Sequence, residues 1–421
     1  MVAAICLALP AVASATDYWA AHGGSGGCTS ASDPCNLPTA VTNAIQTGDR
    51  VIVESTGGDF SLGSTLTISH AIDFGGAPGQ AAPTINSTAS TALLNNNDGA
   101  TFHDFRLLNP VGNPTLQSSA GGTFDRIFVS GGFDACDLSG PGTIAMRNSV
   151  CWGNSFNGGA LEQLPPTSGT STVILRNVTA EATGDHSVGI YVIGSSNAVA
   201  TIDAANTIGR GTNFDVEAQQ YTGGSAHLTF SNSSYALRLD AGGASITPEG
   251  TNGNQTAAPQ FANFAAGDFH EVAGSPTIDA GVPLGDIGSL DLDRTERIQP
   301  SCVGGAGTPD IGAYEIAPPV PSAACSKFTI GELKRNKKKG TAKLTVTVPG
   351  AGRLVASGKG LKKTSESASV AGNVVLKLKA SGKAKRKLND AGKAKLKIKL
   401  SWAPTGNTAA SQTDKVKLKK R

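Results

Sequence analysis

Between residues 50 and 235 one short pattern returns six times: a strand-forming run that leads into a turn residue. The members are Phe102-His103-Asp104, Phe124-Asp125-Arg126, Met146-Arg147-Asn148, Leu175-Arg176-Asn177, Ala204-Ala205-Asn206 and Phe230-Ser231-Asn232. Their third positions are separated by 22, 22, 29, 29 and 26 residues. A unit of that length holds one strand–turn–strand coil. It cannot bury its apolar face alone, so it is stable only when stacked on copies of itself. The expected fold is therefore all-β, a right-handed parallel β-helix. Asn tolerates left-handed backbone geometry, and its amide can bond the residue above or below it. Asn148, Asn177, Asn206 and Asn232 are accordingly read as a structural ladder at a repeated turn.

Charge divides the chain. Residues 1–326 hold nine Arg and no Lys against 28 Asp and Glu, a balance of −19. Residues 327–421 hold 22 Lys and four Arg against four acids, a balance of +22. Such a switch marks a domain boundary. The basic part alternates apolar and cationic residues along Leu344-Val346-Val348, Val374-Leu376-Leu378 and Leu396-Ile398-Leu400-Trp402. That is the pattern of antiparallel strands with one wet face, a small β-sandwich of immunoglobulin-like size.

The first 15 residues, MVAAICLALPAVASA, end in Ala13-Ser14-Ala15 and read as an export signal. The run is too short for a permanent span, carries no basic start, and leaves room for an initiation site upstream of Met1. The expected location is secreted or extracellular, including association with the cell wall, without a transmembrane anchor. Cys6 would leave with the leader. The other six cysteines then suggest three local disulfides, Cys28–Cys35, Cys136–Cys151 and Cys302–Cys325. No Cys-x-x-Cys spacing supports zinc.

The remaining divisions follow from composition. Residues 16–49 read as a cap in which a helix over Leu37–Gln46 presents Leu37, Ala40, Val41, Ala44 and Ile45 on one face. Such a helix would cover the open edge of the first coil. The β-helix proper is placed at 50–235, a looser closing segment at 236–316, and a Pro-rich linker at 317–326. The closing segment carries GDFHEVAGSPTIDAG, then Asp291-Leu292-Asp293 with Arg297, then PDIGAYE. In that order these motifs resemble the bacterial choice-of-anchor Q domain, and residues 17–316 resemble the pectate-lyase-like β-helix repeat proteins that carry it. The Lys-rich region resembles the basic domains that end many exported actinobacterial proteins. The resemblance implies a structural role for Asp279, Asp293, Arg297, Asp310 and Glu315, buried Asp–Arg and Asp–backbone bonds that seal the last coil. Arg294 stands where that pattern has a turn glycine.

Candidate chemistry is thin. A lyase would need a base, and the β-helix has no Lys; Asp125 and Arg147, on neighbouring coils, fit an ion pair better. The best local cluster for a glycosidase is Glu181, Asp185 and His186, with Asp215 and Glu217 one coil later. No confident catalytic set emerges, no cofactor is required, and calcium is left open by the carboxylates of the closing segment. At +22 the basic domain will attract polyanions. Its two aromatics, Phe328 and Trp402, offer no stacking platform for nucleic acid, so anionic wall polymers or acidic polysaccharides are the expected partners. Three functions follow: a glycan-contacting surface protein tethered by charge, a polysaccharide lyase or glycoside hydrolase, or a structural spacer.

Overall fold

A computed structural model describes residues 15–111, 114–164, 168–298, 307–316, 327–369, 372–404 and 409–421. The leader with Cys6, the Cys302–Cys325 pair and the Pro-rich linker lie outside the described residues. The chain forms two compact units that divide after Arg297 and again after Glu315.

The first unit is a parallel β-solenoid of about seven turns. Its first sheet stacks Asp17–Ala20, Arg50–Val53, Asp73–Gly76, Thr101–Asn109, Gly122–Gly131, Gly142–Gly153, Gly169–Ala182, Ala198–Ala205, Ser225–Ser231 and Ser245–Ile246. Its second sheet stacks Leu66–Ile68, Leu94–Asn96, Leu116–Ser118, Cys136–Leu138, Gly159–Gln163, Val188–Gly194, Phe214–Gln220 and Arg238–Ala241. Pairing therefore begins before Arg50 and continues past residue 235. Identical registers place one inward column in order: Phe74, Phe102, Phe124, Met146, Leu175, Ala204 and Phe230. Phe102 and Phe124 stack with ring centroids 4.8 Å apart. Full burial of each large side chain stabilises the stack by about 1.5–3 kcal/mol.

The six repeated turn residues sit where each long first-sheet strand bends. All take left-handed backbone: φ is 61° at Asp104, 53° at Arg126, 51° at Asn148, 54° at Asn177, 52° at Asn206 and 45° at Asn232. The asparagines are the residues that enter this region at low cost. Their amides do not form the expected continuous Asn-to-Asn chain. Among the described residues only Asn206 Nδ2 reaches another, Asn177 Oδ1, at 3.3 Å.

The reason lies in the part of the closing segment beyond Ile246, which crosses back over earlier coils and does not seal the last one alone. After an antiparallel pair, Phe261–Asn263 with Asp268–Glu271, it runs lengthwise along the bend and takes up the ladder amides. Asn148 Nδ2 donates to Ile287 O at 2.8 Å and Asn177 Nδ2 to Asp310 O at 2.8 Å. Asn206 donates to Val282 O at 2.9 Å and accepts from Val282 N at 2.8 Å. At the other end Arg294 donates to Asp104 Oδ1 at 2.9 Å. An irregular segment buried against a sheet must place its carbonyls and N–H groups somewhere, and the turn amides serve. Phe269, Ala313 and Tyr314 pack on Phe128 and Val150 beneath it. The segment is a strap across several coils.

One smaller expectation needs correction, and two of the expected disulfides are present. The cap helix runs only over Leu37–Asn43, with Asn36 as N-cap accepting from Thr39 N at 2.9 Å. It ends before Ile45, which is 55 % exposed; Gln46 and Gly48 already belong to the turn that Asp49 fixes by accepting from Gln46 N. Disulfides join Cys28 to Cys35 and Cys136 to Cys151. The second links the two sheets within a single coil, and a loop of its 15-residue separation is worth about 3 kcal/mol.

The second unit packs a three-stranded antiparallel sheet (Thr329–Asn336, Thr341–Val348, Gly372–Lys379) and a four-stranded one (Thr364–Ala368, Gly352–Ser357, Lys393–Pro404, Ala410–Lys419) around Leu344, Val346, Leu376, Ile398, Leu400 and Trp402. It is a small β-sandwich. A helix over Gly382–Ala391 was not anticipated; it buries Leu388 and ends at Gly392, whose φ is 65°. No helix among the described residues is long and apolar enough to cross a membrane.

Candidate functional site

The four carboxylates and one histidine singled out from the sequence do not converge. Glu181 is buried between Trp152 on one neighbouring strand and Arg210 on the other. Burial pushes its carboxyl well above the usual range, against the pull of Arg210. Asp215 accepts from Arg210 at 2.7 Å and from the N–H groups of Ala236 at 2.6 Å and Leu237 at 3.1 Å, which makes it a turn anchor. Asp185 and His186 lie exposed on a loop, His186 with φ 57°. Glu217, 7 % exposed, lies in the second sheet between the inward Val216 and Ala218.

The closing-segment residues do gather. Arg297 is 0 % exposed and donates to Gly312 O at 3.0 Å, Ala313 O at 2.7 Å and Tyr314 O at 3.1 Å, with Glu315 Oε2 at 3.5 Å. Asp310 accepts from Asp279 N at 2.6 Å, while Glu315 accepts from Asp310 N at 2.9 Å. Asp293 lies outside this knot and accepts from His270 Nε2 at 2.6 Å. Arg294 takes the left-handed turn despite its side chain, with φ 64°, and bonds Asp104 across to the solenoid. Asp125 and Arg147 pair at 3.2 Å. These contacts hold the strap in place.

A different surface carries the denser chemistry. In the second sheet, residues that alternate with the core form one outward column, in strict register: Asn95, Gln117, Asp137, Glu162, Tyr191 and Glu217. Five strand spacings of about 4.8 Å give it a length of about 24 Å. Gln117 Nε2 donates to Asp137 Oδ2 at 3.2 Å, Ser139 Oγ donates to Asp137 Oδ1, and Gln219 Nε2 donates to Glu217 Oε1. Asp134, at the edge of the same face, accepts from Gly159 N at 2.7 Å and shares a hydrogen bond with Glu162.

Its electrostatics set this face apart. Burial pushes the Glu162 carboxyl up to about 9, reinforced by the charges of Asp134 and Asp137. Burial likewise raises Asp134, to about 6, against the Gly159 N–H. Asp137 is raised for the same reason, against Ser139 and Gln117. Crowded, recessed carboxyls of like charge keep a proton among them at neutral pH. The Tyr191 phenol is raised by burial and then by Glu217, so it stays a neutral donor.

Aromatic groups border the column. On the loops that lead into successive second-sheet strands stand Phe133, 39 % exposed, and Phe156, 59 % exposed, the latter 5.3 Å from the His186 ring. At the strand ends Tyr221, 54 % exposed, donates to Gln219 Oε1. Among the described residues no group of three or more His, Cys, Asp or Glu is arranged to hold a metal ion. The face offers hydroxyl-rich ligands the protonated Glu162 carboxyl, further carboxyl and amide groups, and apolar rings, in a row.

No protein-family model matches the chain. No curated protein matches it in sequence.

Proposed function

We propose that this chain is a secreted or wall-associated surface protein whose solenoid binds a neutral, linear polysaccharide along the outer face of its second sheet. The observation that carries this reading is the unbroken column from Asn95 to Glu217 with exposed rings on both borders. A polymer of hydroxyls suits a straight row of donors and acceptors. Aromatic rings cover the apolar faces of sugar units. An acidic polymer is disfavoured there, since the solenoid carries −19 and its recessed carboxyls already repel one another. The closing segment is read as a choice-of-anchor-Q-like module that works as a permanent strap, and the sandwich as an Ig-like Lys-rich domain that tethers the protein by charge.

Binding to soluble β-glucan, xylan and galactan by the full chain is the test. One of them is expected to bind saturably, and Tyr191→Ala with Tyr221→Ala to weaken it at least about tenfold, the effect of losing two stacking contacts. Asp59→Asn, exposed just before the first-sheet strand Phe60–Leu62, should leave it within about twofold, a typical surface effect. No saturable binding to any glycan would leave the structural-spacer reading.

A second reading, glycoside hydrolysis, is favoured by one feature. Glu162 holds its proton at neutral pH, as a general acid must, and Glu217 lies two strands away, about 9.6 Å by backbone spacing. Inverting enzymes place their two carboxyls roughly 6.5–9.5 Å apart. New reducing ends from the bound glycan, abolished by Glu162→Gln, would turn the binding face into a catalytic one.

A further inference from the structure

The outer face of the four-stranded sheet in the basic domain has an arrangement that folding alone does not favour. Strands Lys393–Pro404 and Ala410–Lys419 are antiparallel neighbours, and their register sets lysine directly against lysine three times: Lys393 with Lys419, Lys395 with Lys417, and Lys397 with Lys415. The residues between them, Leu396, Ile398, Val416 and Leu418, are buried in the sandwich core, so every one of these lysines points outward. Opposed residues in such a pair lie about 5 Å apart at Cβ, and like charges so placed destabilise the sheet. Successive lysines along each strand are about 6.8 Å apart. Among the described residues none of the six has a salt bridge. Acids that would quiet the repulsion are scarce, with four in residues 327–421 against 26 bases.

We infer that this double row is a binding ribbon for a linear acidic polysaccharide, whose carboxylates supply the missing counter-charge along both strands. This deepens the charge-tether reading and rests on it. Three features choose the partner. The ribbon is continuous and two residues wide, which suits an extended polymer lying along the strands. It is built from lysine without arginine, hence from separate point charges and not from the planar forks that grip phosphate bidentately. Finally, the two aromatics of this unit, Phe328 and Trp402, are both buried, so bases have nothing to stack on.

The test uses the full chain and polygalacturonate, a linear carboxylated polymer, across a salt series. Wild type is expected to bind and to lose at least about tenfold in affinity between about 50 and 200 mM salt, as charge contacts release their counterions. The variant Lys395→Gln, Lys397→Gln, Lys415→Gln, Lys417→Gln should bind at least about tenfold more weakly, with a shallower salt slope. Its unfolding midpoint should stay or rise, because opposed like charges have been removed, and this separates lost binding from lost fold. A control with equal charge change on the other sheet and its hairpin, Lys337→Gln, Lys338→Gln, Lys339→Gln, Lys343→Gln, should stay within about threefold of wild type. Equal loss in both variants would overturn the ribbon while leaving the tether reading intact. Absence of salt-sensitive binding by wild type would overturn both. Tighter binding of single- or double-stranded DNA than of polygalacturonate at matched charge would overturn the choice of polysaccharide.

Discussion

Replacing Arg297 by Leu is expected to destabilise the solenoid by about 3–5 kcal/mol, the usual consequence of breaking a buried ionic knot from one side. The substitution would strand the carbonyls of Gly312, Ala313 and Tyr314, and leave Asp291, Asp310 and Glu315 without their buried cation. Burial alone would push the guanidinium pKa down; Glu315, Asp291 and Asp310 oppose that, which shows how completely the group depends on its acids. The strap closes over the ladder amides of Asn148, Asn177 and Asn206, so its release would also expose Phe128 and Val150. Thermal unfolding should fall by on the order of 10 °C for a unit of this size. An unchanged midpoint would mean that the strap is not held by Arg297.

The second large effect is a pH dependence. Glu162 and Asp134 have carboxyls raised in the folded state, chiefly by burial and then by neighbouring charge, from Asp134 and Asp137 on Glu162 and from Asp137 on Asp134. A raised carboxyl binds its proton more tightly when folded, so its contribution is fully present below the unfolded value near 4.3 and is lost as pH rises through the folded one. Between about pH 5 and 9 the solenoid should lose stability, and Glu162→Gln, which keeps the neutral shape, should lose less. At pH 8 the variant is expected to be more stable than wild type by at least about 1.4 kcal/mol, one unit's worth of shift. Its profile will be shallower but not flat. Glu271 is raised to about 7 by burial, and His103 and His270, raised to about 9 by the carboxylates around them, also lose stabilising charge as pH climbs. Chemical unfolding midpoints at four or five pH values would check it; parallel profiles for the two proteins would contradict the assignment.

What could be read in advance followed from periodicity. The turn residues from Asp104 to Asn232 stand at one bend, each flanked by long strands, so their spacing carried the coil. The alternation around Leu396, Ile398 and Leu400 did the same for the sandwich. The second-sheet column escaped because its strands are short: Leu116–Ser118 and Cys136–Leu138 hold three residues each, below the length at which alternation is visible. Distance from the ladder does not rescue it. Gln117, Asp137, Glu162, Tyr191 and Glu217 lie 13, 11, 14, 14 and 11 residues beyond their ladder positions. The offset is odd for Gln117, Asp137 and Glu217 but even for Glu162 and Tyr191, and one residue of slip exchanges the inner and outer faces. The course of the strap was illegible for another reason: its partners on the solenoid bend lie 76 to 214 residues away. Only Arg294 in a turn position hinted that the segment had an appointment elsewhere. The helix over Gly382–Ala391 had a visible frame in Ser381 and Gly392, but its lysines matched the surrounding strands and masked it.

Glycan binding along the second sheet is the claim on which the functional account turns. Hydroxyl-radical footprinting of the full chain, with and without the neutral glycan it binds best, reads that face residue by residue. Saturable protection of Phe156, Tyr191 and Tyr221 is the expected result, while Phe264, 40 % exposed and part of the strap, keeps its reactivity. Protection of Phe264 with Tyr191 and Tyr221 unchanged, or no saturable protection at any of the four, would contradict it.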